Sequence, residues 1–212
     1  MQPWSAWSPD VLPHVIGCPN IVAESEIRRA AQDFFQRTRA YQVYVTMPVV
    51  AGQAFVEPIP TETDLNMIRV ENASYDGERL APINKASLDA DQNLKDWSTR
   101  TGTPRNRLQL TPGVIRLYPI PEVDAVTGVI VRLSVAPTNT SSGISDEMYY
   151  QYLDEIKCGA LSRLMMYPEA RWRNPELAVF YETKFNTAID TVHHQVARAF
   201  SNGRIAARPK WC

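Results

Sequence analysis

The chain has 212 residues, of which 44% are apolar and 21% charged, with a formal net charge of −1. This ordinary globular composition allows one large domain or two small ones; it excludes disorder as the default and argues against a general nucleic-acid coat, although charge can still be segregated into patches. No run approaches the roughly 20 apolar residues of a membrane span, and Met1-Gln2-Pro3-Trp4 lacks a basic region followed by an apolar one, so a soluble, unexported protein is expected.

Met1 to Pro19 carries Trp4, Trp7, Pro3, Pro9, Pro13 and Pro19. That proline density rules out a continuous helix and predicts an extended arm with aromatic anchors, lying either on its own domain or on a neighbouring subunit. From Asn20 to about Thr38 the apolar residues Val22, Ile27, Ala30, Ala31, Phe34 and Phe35 keep helical spacing, which predicts the first of three major helices. Between Tyr41 and Pro137 the period changes to two. Tyr41, Val43 and Val45 alternate with Gln42, Tyr44 and Thr46 until Pro48, which is expected to stop the strand. Met67 to Asn72 leads through Tyr75-Asp76-Gly77 into Glu78-Arg79-Leu80, a tight-hairpin pattern. A short helix is expected within Asn84–Trp97. Arg107–Leu110 and Val114–Tyr118 flank Thr111-Pro112-Gly113 as a second hairpin, and Val129 to Val135 alternates as a strand.

Ser145, with Asp146 and Glu147 behind it, reads as a helix start. Tyr149, Leu153, Ile156, Ala160, Leu161 and Leu164 then form a stripe that ends before Tyr167-Pro168. Asn174-Pro175-Glu176 starts another helix, with Leu177, Tyr181, Phe185, Ala188, Ile189, Val192, Val196 and Ala199 as its stripe and Asn202-Gly203 as its stop. Such a helix would be roughly 40 Å long at ~1.5 Å per residue. The expected fold is α+β: a helical module, made of one N-terminal helix and a long C-terminal helical hairpin, with an inserted antiparallel β-sheet or small sandwich. The boundaries read as 1–40 for the arm and first helix, 41–140 for the inserted β domain, 141–203 for the hairpin and 204–212 for a C-terminal extension. Loop-closure entropy permits so long an insertion because it grows only logarithmically with length.

Templates for catalysis fail on spacing: the chain holds no Gly-x-Ser-x-Gly elbow, no phosphate loop, no Gly-x-Gly-x-x-Gly and no His-Glu-x-x-His. Asp190, His193 and His194 share part of a helix face, but adjacent imidazoles diverge and a full ligand set is missing, so a polar helix face or subunit contact is the preferred reading. Asp154-Glu155 and Asp89/Asp91 read as solvated surface. Cys18, Cys158 and Cys212 are widely separated, outside any zinc spacing, and read as reduced thiols. No catalytic, cofactor or metal residue is assigned. Candidate partner-binding residues are Trp4 and Trp7 in the arm, and Arg204, Arg208, Lys210 and Trp211 at the end, where three cations and an indole stand without an acid; a frayed terminus is the competing reading.

Val15-Ile16-Gly17-Cys18-Pro19, followed by Ala23-Glu24-Ser25-Glu26-Ile27-Arg28-Arg29-Ala30-Ala31-Gln32-Asp33-Phe34-Phe35, resembles the opening of tailed-bacteriophage head-to-tail adaptor proteins, the connector or neck proteins similar to tail tubular protein A. Tyr118-Pro119, Ala136-Pro137, Glu155 to Leu164, Pro168 and Trp172 to Ala178 with Tyr181 and Phe185 follow in the family's order. The resemblance covers nearly the whole chain and rests on packing and capping signals. It implies a non-enzymatic structural virion protein at the head-tail interface, made in the host cytoplasm, with no cofactor and no membrane contact. It further implies a homo-oligomeric ring, a dodecamer, that binds under the portal protein ring, extends the DNA channel and offers an attachment surface to a tail or nozzle protein. The C-terminal extension would dock on the portal. DNA would pass without specific binding, because each phosphate neutralised would add affinity that opposes ejection. The alternatives are a carbohydrate- or protein-binding β module and, below it, an unrecognised hydrolase.

Overall fold

The computed structural model describes residues 1–90, 96–111 and 113–198. In chain order it holds β1 (Gln2–Pro3), a 3-10 turn (Trp4–Trp7), α1 (Ser8–Val11), a second 3-10 turn (Leu12–His14), α2 (Asn20–Thr38), β2 (Gln42–Val49), β3 (Phe55–Val56) and β4 (Leu65–Tyr75). There follow β5 (Glu78–Arg79), β6 (Ala81–Pro82), α3 (Lys85–Ala90), β7 (Asn106–Thr111), β8 (Val114–Tyr118), β9 (Ala125–Pro137), β10 (Gly143–Ile144), α4 (Asp146–Leu164) and α5 (Pro175–Ala197). Two compact units result, one from Met1–Ala40 with the chain from Pro137 onward, the other from Tyr41–Ala136.

The helical unit is built on α2. Ile27, Ala30, Ala31, Phe34 and Phe35 are fully buried on one face, as the helical spacing requires. Their partners come from α4 and α5: the Tyr152 ring lies 5.0 Å from Phe34 and 5.8 Å from Phe35, and the Phe185 ring 6.1 Å from Phe34. Arg163 Nη2 donates to Asp33 at 3.0 Å, and Arg37 Nη1 to Asn186 at 2.9 Å, joining the rims of the same three helices. Glu26, buried at 3% exposure, accepts from Arg29 at 2.8 Å and from the Tyr167 hydroxyl at 3.1 Å. Burial, and then the facing Glu26 carboxylate, push the Tyr167 phenol up.

The expected α+β class stands, but the make-up of its helical module is corrected. The helical module is not one N-terminal helix plus a long C-terminal hairpin: five α-helices are present among the described residues, and α2, α4 and α5 share a single core. α4 breaks helical geometry at Tyr152 (φ −124°, ψ 25°). Its buried row is accordingly Met148, Tyr152, Ile156, Gly159, Ala160, Leu161 and Leu164, with Tyr149 and Leu153 only half-buried. On α5 only Ala178, Phe185, Ile189 and Val192 are buried, whereas Leu177, placed in the stripe from sequence, is exposed. The expected stop at Asn202-Gly203 lies outside the described residues.

The β part, expected as an antiparallel sheet or small sandwich, holds two four-stranded sheets, one of them with a parallel pair. One four-stranded sheet has the order β2-β9-β4-β5; a second has the order β3-β8-β7-β6 and contains a parallel pair, β6 with β7. Along β9, Val129, Val131, Leu133 and Val135 are fully buried and Ile130 is turned outward, the period-two pattern of a strand with one apolar face, while Ser134 and Ala136 are buried as well, so the end of the strand is covered on both sides. Asp76 and Gly77 both take positive φ, 47° and 81°, the geometry of a primed hairpin turn between β4 and β5. Pro48 does not end β2. It sits where the register with β9 shifts, between Met47 and Val49, on the edge strand of the sheet, where a missing N–H leaves no ladder bond unmade. Leu88, Trp97, Leu108 and Tyr118 form a separate buried cluster within this unit. Beside it the Arg116 guanidinium lies over two rings, Trp97 at 4.6 Å and Phe55 at 5.2 Å.

The expected extended arm is replaced by short helical turns. Prolines forbid a long helix, yet each is favourable in a first turn, where its N–H would be unpaired anyway; Pro9 and Pro13 occupy such positions in α1 and the second 3-10 turn.

Candidate interaction surfaces

The aromatic anchors of the N-terminal segment are core residues. Trp4 and Trp7 are 2% and 0% exposed, with ring centroids 5.6 Å apart. Trp4 donates its indole N–H to the Ser141 carbonyl at 2.7 Å, and Trp7 meets Tyr149 edge-on at 4.4 Å. The strand pair β1–β10 secures the same segment. Both indoles therefore pack inside their own unit, and a part at a partner surface can only be indirect, through the segment they hold. Arg204, Arg208, Lys210 and Trp211 lie outside the described residues.

The helical unit exposes several large apolar side chains, among them residues at the entry to α2 and in the first turns of α5. Ile16 and Ile21, at the entry to α2, are 81% and 78% exposed. On α5, Leu177, Val179 and Phe180 are 43%, 57% and 49% exposed, and the Lys184 ammonium lies over the Phe180 ring at 4.6 Å.

An open groove of about 840 Å³ runs between α4 and α5. Its α5 rim carries Thr183, Thr187 and Thr191, whose hydroxyls donate back to the carbonyls of Val179, Thr183 and Thr187 at 2.9, 2.8 and 2.8 Å. With those hydroxyls spent on the helix backbone, the rim presents methyl groups. The four-residue threonine spacing was legible in the sequence, had the apolar stripe not been read as the helix's only organised face. On the α4 side stand Gln151, Tyr152, Asp154, Glu155, Lys157 and Cys158. Burial pushes the Glu155 carboxyl up, reinforced by Asp154; burial likewise pushes the Tyr152 phenol up to about 12, with Glu155 and Glu147 adding to it. The Cys158 thiol is also pushed up by burial, which keeps it in the neutral form.

In the β unit the outward face of the first sheet forms a shallow notch lined by Tyr44, Asn72, Ser74, Ile130 and Arg132. Tyr44 is 69% exposed and stands directly opposite Arg132 in the β2–β9 register. Asp89 is not free surface: it accepts the Trp97 indole N–H at 2.9 Å. His193 and His194 have ring centroids 6.1 Å apart on α5, Asp190 is exposed, and among the described residues no group of three metal-ligating side chains occurs. Among the described residues, no helix is long and apolar enough to cross a membrane.

A protein-family model described as SU10 adaptor protein matches residues 19–208. No curated protein matches the chain.

Proposed function

Because the chain belongs to the SU10 adaptor protein family of phage head-to-tail adaptors, and is by that membership a structural virion component, we propose that it builds a closed ring beneath the portal. That ring extends the DNA channel and gives the tail its attachment surface. The observation that supports this reading is the exposure of large apolar side chains in two separate segments of one helical unit, Ile16 and Ile21 at the entry to α2 and Leu177, Val179 and Phe180 at the start of α5. A ring closes through heterologous contacts, in which one patch of each subunit meets a different patch of the next. Apolar side chains exposed in two separate segments supply unlike surfaces of the kind such a contact uses.

In this reading the helical unit forms the ring body, and Arg204, Arg208, Lys210 and Trp211 grip the portal, since cations and an indole suit an acidic groove. Trp4 and Trp7 act at a distance, holding the N-terminal segment that carries Ile16. The notch at Tyr44 and Arg132 is the one feature that favours the rival binding-module reading. The test is loading of purified portal rings with the wild-type chain, Ile21→Asp and Val179→Asp, each variant first checked for folding by circular dichroism. Each variant is expected to leave the layer incomplete; full loading by both would overturn the ring interface.

A further inference from the structure

We infer that the free protein pairs with a second copy of itself through the open edge of β2, joining two β2-β9-β4-β5 sheets across a two-fold axis. A sheet edge presents unpaired N–H and C=O groups, and proteins ordinarily shorten, charge or cover such edges. Most edges of the β unit are treated in that way. β5 has two residues, Glu78 and Arg79, both charged. On β4 beyond it, the Ala73 carbonyl accepts the Leu80 N–H at 2.9 Å, and the carbonyls of Val70 and Glu71 accept from the Arg107 guanidinium at 3.3 and 3.1 Å. In the second sheet β3 and β6 have two residues each, and β6 ends in Pro82. Among the described edges β2 is the exception: it is eight residues long and carries no charge. Pro48 and the register shift beside it protect only its far end.

The ladder decides which groups that edge offers. The Val135 N–H donates to the Tyr41 carbonyl at 2.9 Å, so Tyr41 faces β9. Facing residues alternate along an antiparallel strand, and Val43, Val45 and Met47 therefore face β9 too, opposite Leu133, Val131 and Val129. Tyr44 and Thr46 turn both their N–H and their C=O the other way, onto the edge. Their side chains are exposed, Tyr44 at 69%, and among the described residues no strand pairs with β2 on that side.

The occupant this edge fits is its own image. An axis through Val45 sets Tyr44 of each chain opposite Thr46 of the other, and each such pair exchanges its N–H···O bonds in both directions. The strand has no charge with which to repel its copy, and a ring set against a β-branched residue is a favourable cross-strand pair. A head-to-tail union of sheets would need a second long edge, whereas the other described edges are short, charged or engaged. The isologous contact is the geometry that remains. It closes on itself and uses neither Ile21 nor Val179, so its failure would leave the portal reading standing.

The full chain, without portal, is followed by sedimentation velocity from dilute to concentrated solution, and by hydrogen exchange of the Tyr44 and Thr46 amides at both extremes. The mass is expected to rise towards that of two chains while both amides become protected. Thr46→Pro removes an N–H that points away from β9 and so spares the β2–β9 ladder; Thr46→Val keeps the backbone group. With folding of each checked by thermal unfolding, the proline variant should associate about tenfold more weakly, the loss of one bond from each copy, and the valine variant about as well as the wild type. A wild type that stays monomeric throughout, amides that exchange alike at both concentrations, or a folded Thr46→Pro protein that associates as well as the wild type would each overturn the inference. The exchange measurement needs no variant, so it decides the matter even where the proline prevents folding.

Discussion

Replacing Gly159 with alanine sets two known magnitudes against each other. A Cβ at this position would lie 2.6 Å from Cε2 of Phe185 and 2.9 Å from its Cδ2 and Cζ, well inside the 3.5–4.0 Å of comfortable carbon contact. Phe185 has nowhere to retreat, being 4% exposed with its ring 6.1 Å from that of Phe34. Overpacking of this kind costs about 1–3 kcal/mol. Against it, alanine is better than glycine inside a helix by ~1 kcal/mol. The clash wins, leaving a net loss of about 1 kcal/mol and a fall in Tm of about 2–4 °C for a chain of this size. Thermal unfolding followed by circular dichroism, on the wild type, Gly159→Ala, Phe185→Leu and the double variant, measures it. With leucine opposite, the added methyl should be tolerated, giving a coupling of at least ~0.5 kcal/mol. A Gly159→Ala protein that melts at or above the wild type, with no coupling, would refute the close approach of α4 and α5.

Other substitutions probe separate links. Trp4→Phe removes the donor to the buried Ser141 carbonyl and should cost about 1–3 kcal/mol in chemical denaturation. Asn174→Ala removes the side chain that accepts from the Leu177 N–H at 3.2 Å and should cost ~1 kcal/mol by the same assay. Glu155→Gln tests the raised carboxyl: a group whose folded pKa exceeds its unfolded one stabilises fully below the unfolded value and loses that contribution as pH rises through the folded value. The amide should therefore be more stable than the wild type at pH 7, with the difference shrinking on acidification. Tyr152 obeys the same sign, its contribution present below the ordinary value of 10.0 and lost as pH climbs towards 12. Tyr152→Phe should flatten the alkaline fall in stability over that window.

Much of the fold was legible because local rules and packing agreed. Asn20–Thr38 reads as a helix and is one, and Asn174-Pro175-Glu176 starts α5 with its capping bond in place. Asp76-Gly77 turns as that dipeptide demands. Other features depended on facts that sequence periodicity does not carry. Prolines in the first nineteen residues exclude a long helix but say nothing against several short ones, so an extended arm was the wrong inference from a correct premise. At the break in α4 the Tyr152 ring lies against Phe34 and Phe35, residues more than a hundred positions away, a contact that periodicity cannot carry. Leu177 was assigned to the buried row by spacing, yet the buried row of α5 begins one residue later, at Ala178. The candidate surfaces were partly hidden for the same reason: Ile16, Ile21, Val179 and Phe180 are recognisable as exposed only once the core has been completed without them.

The central claim is that this family member assembles on the portal as a layer. Mass by light scattering, for the protein alone and then mixed with portal rings of the same virus, tests it most directly. The account predicts a stable complex carrying about one copy per portal subunit, in line with a matched closed ring. A protein that stays monomeric in the mixture and leaves the portal mass unchanged would contradict it.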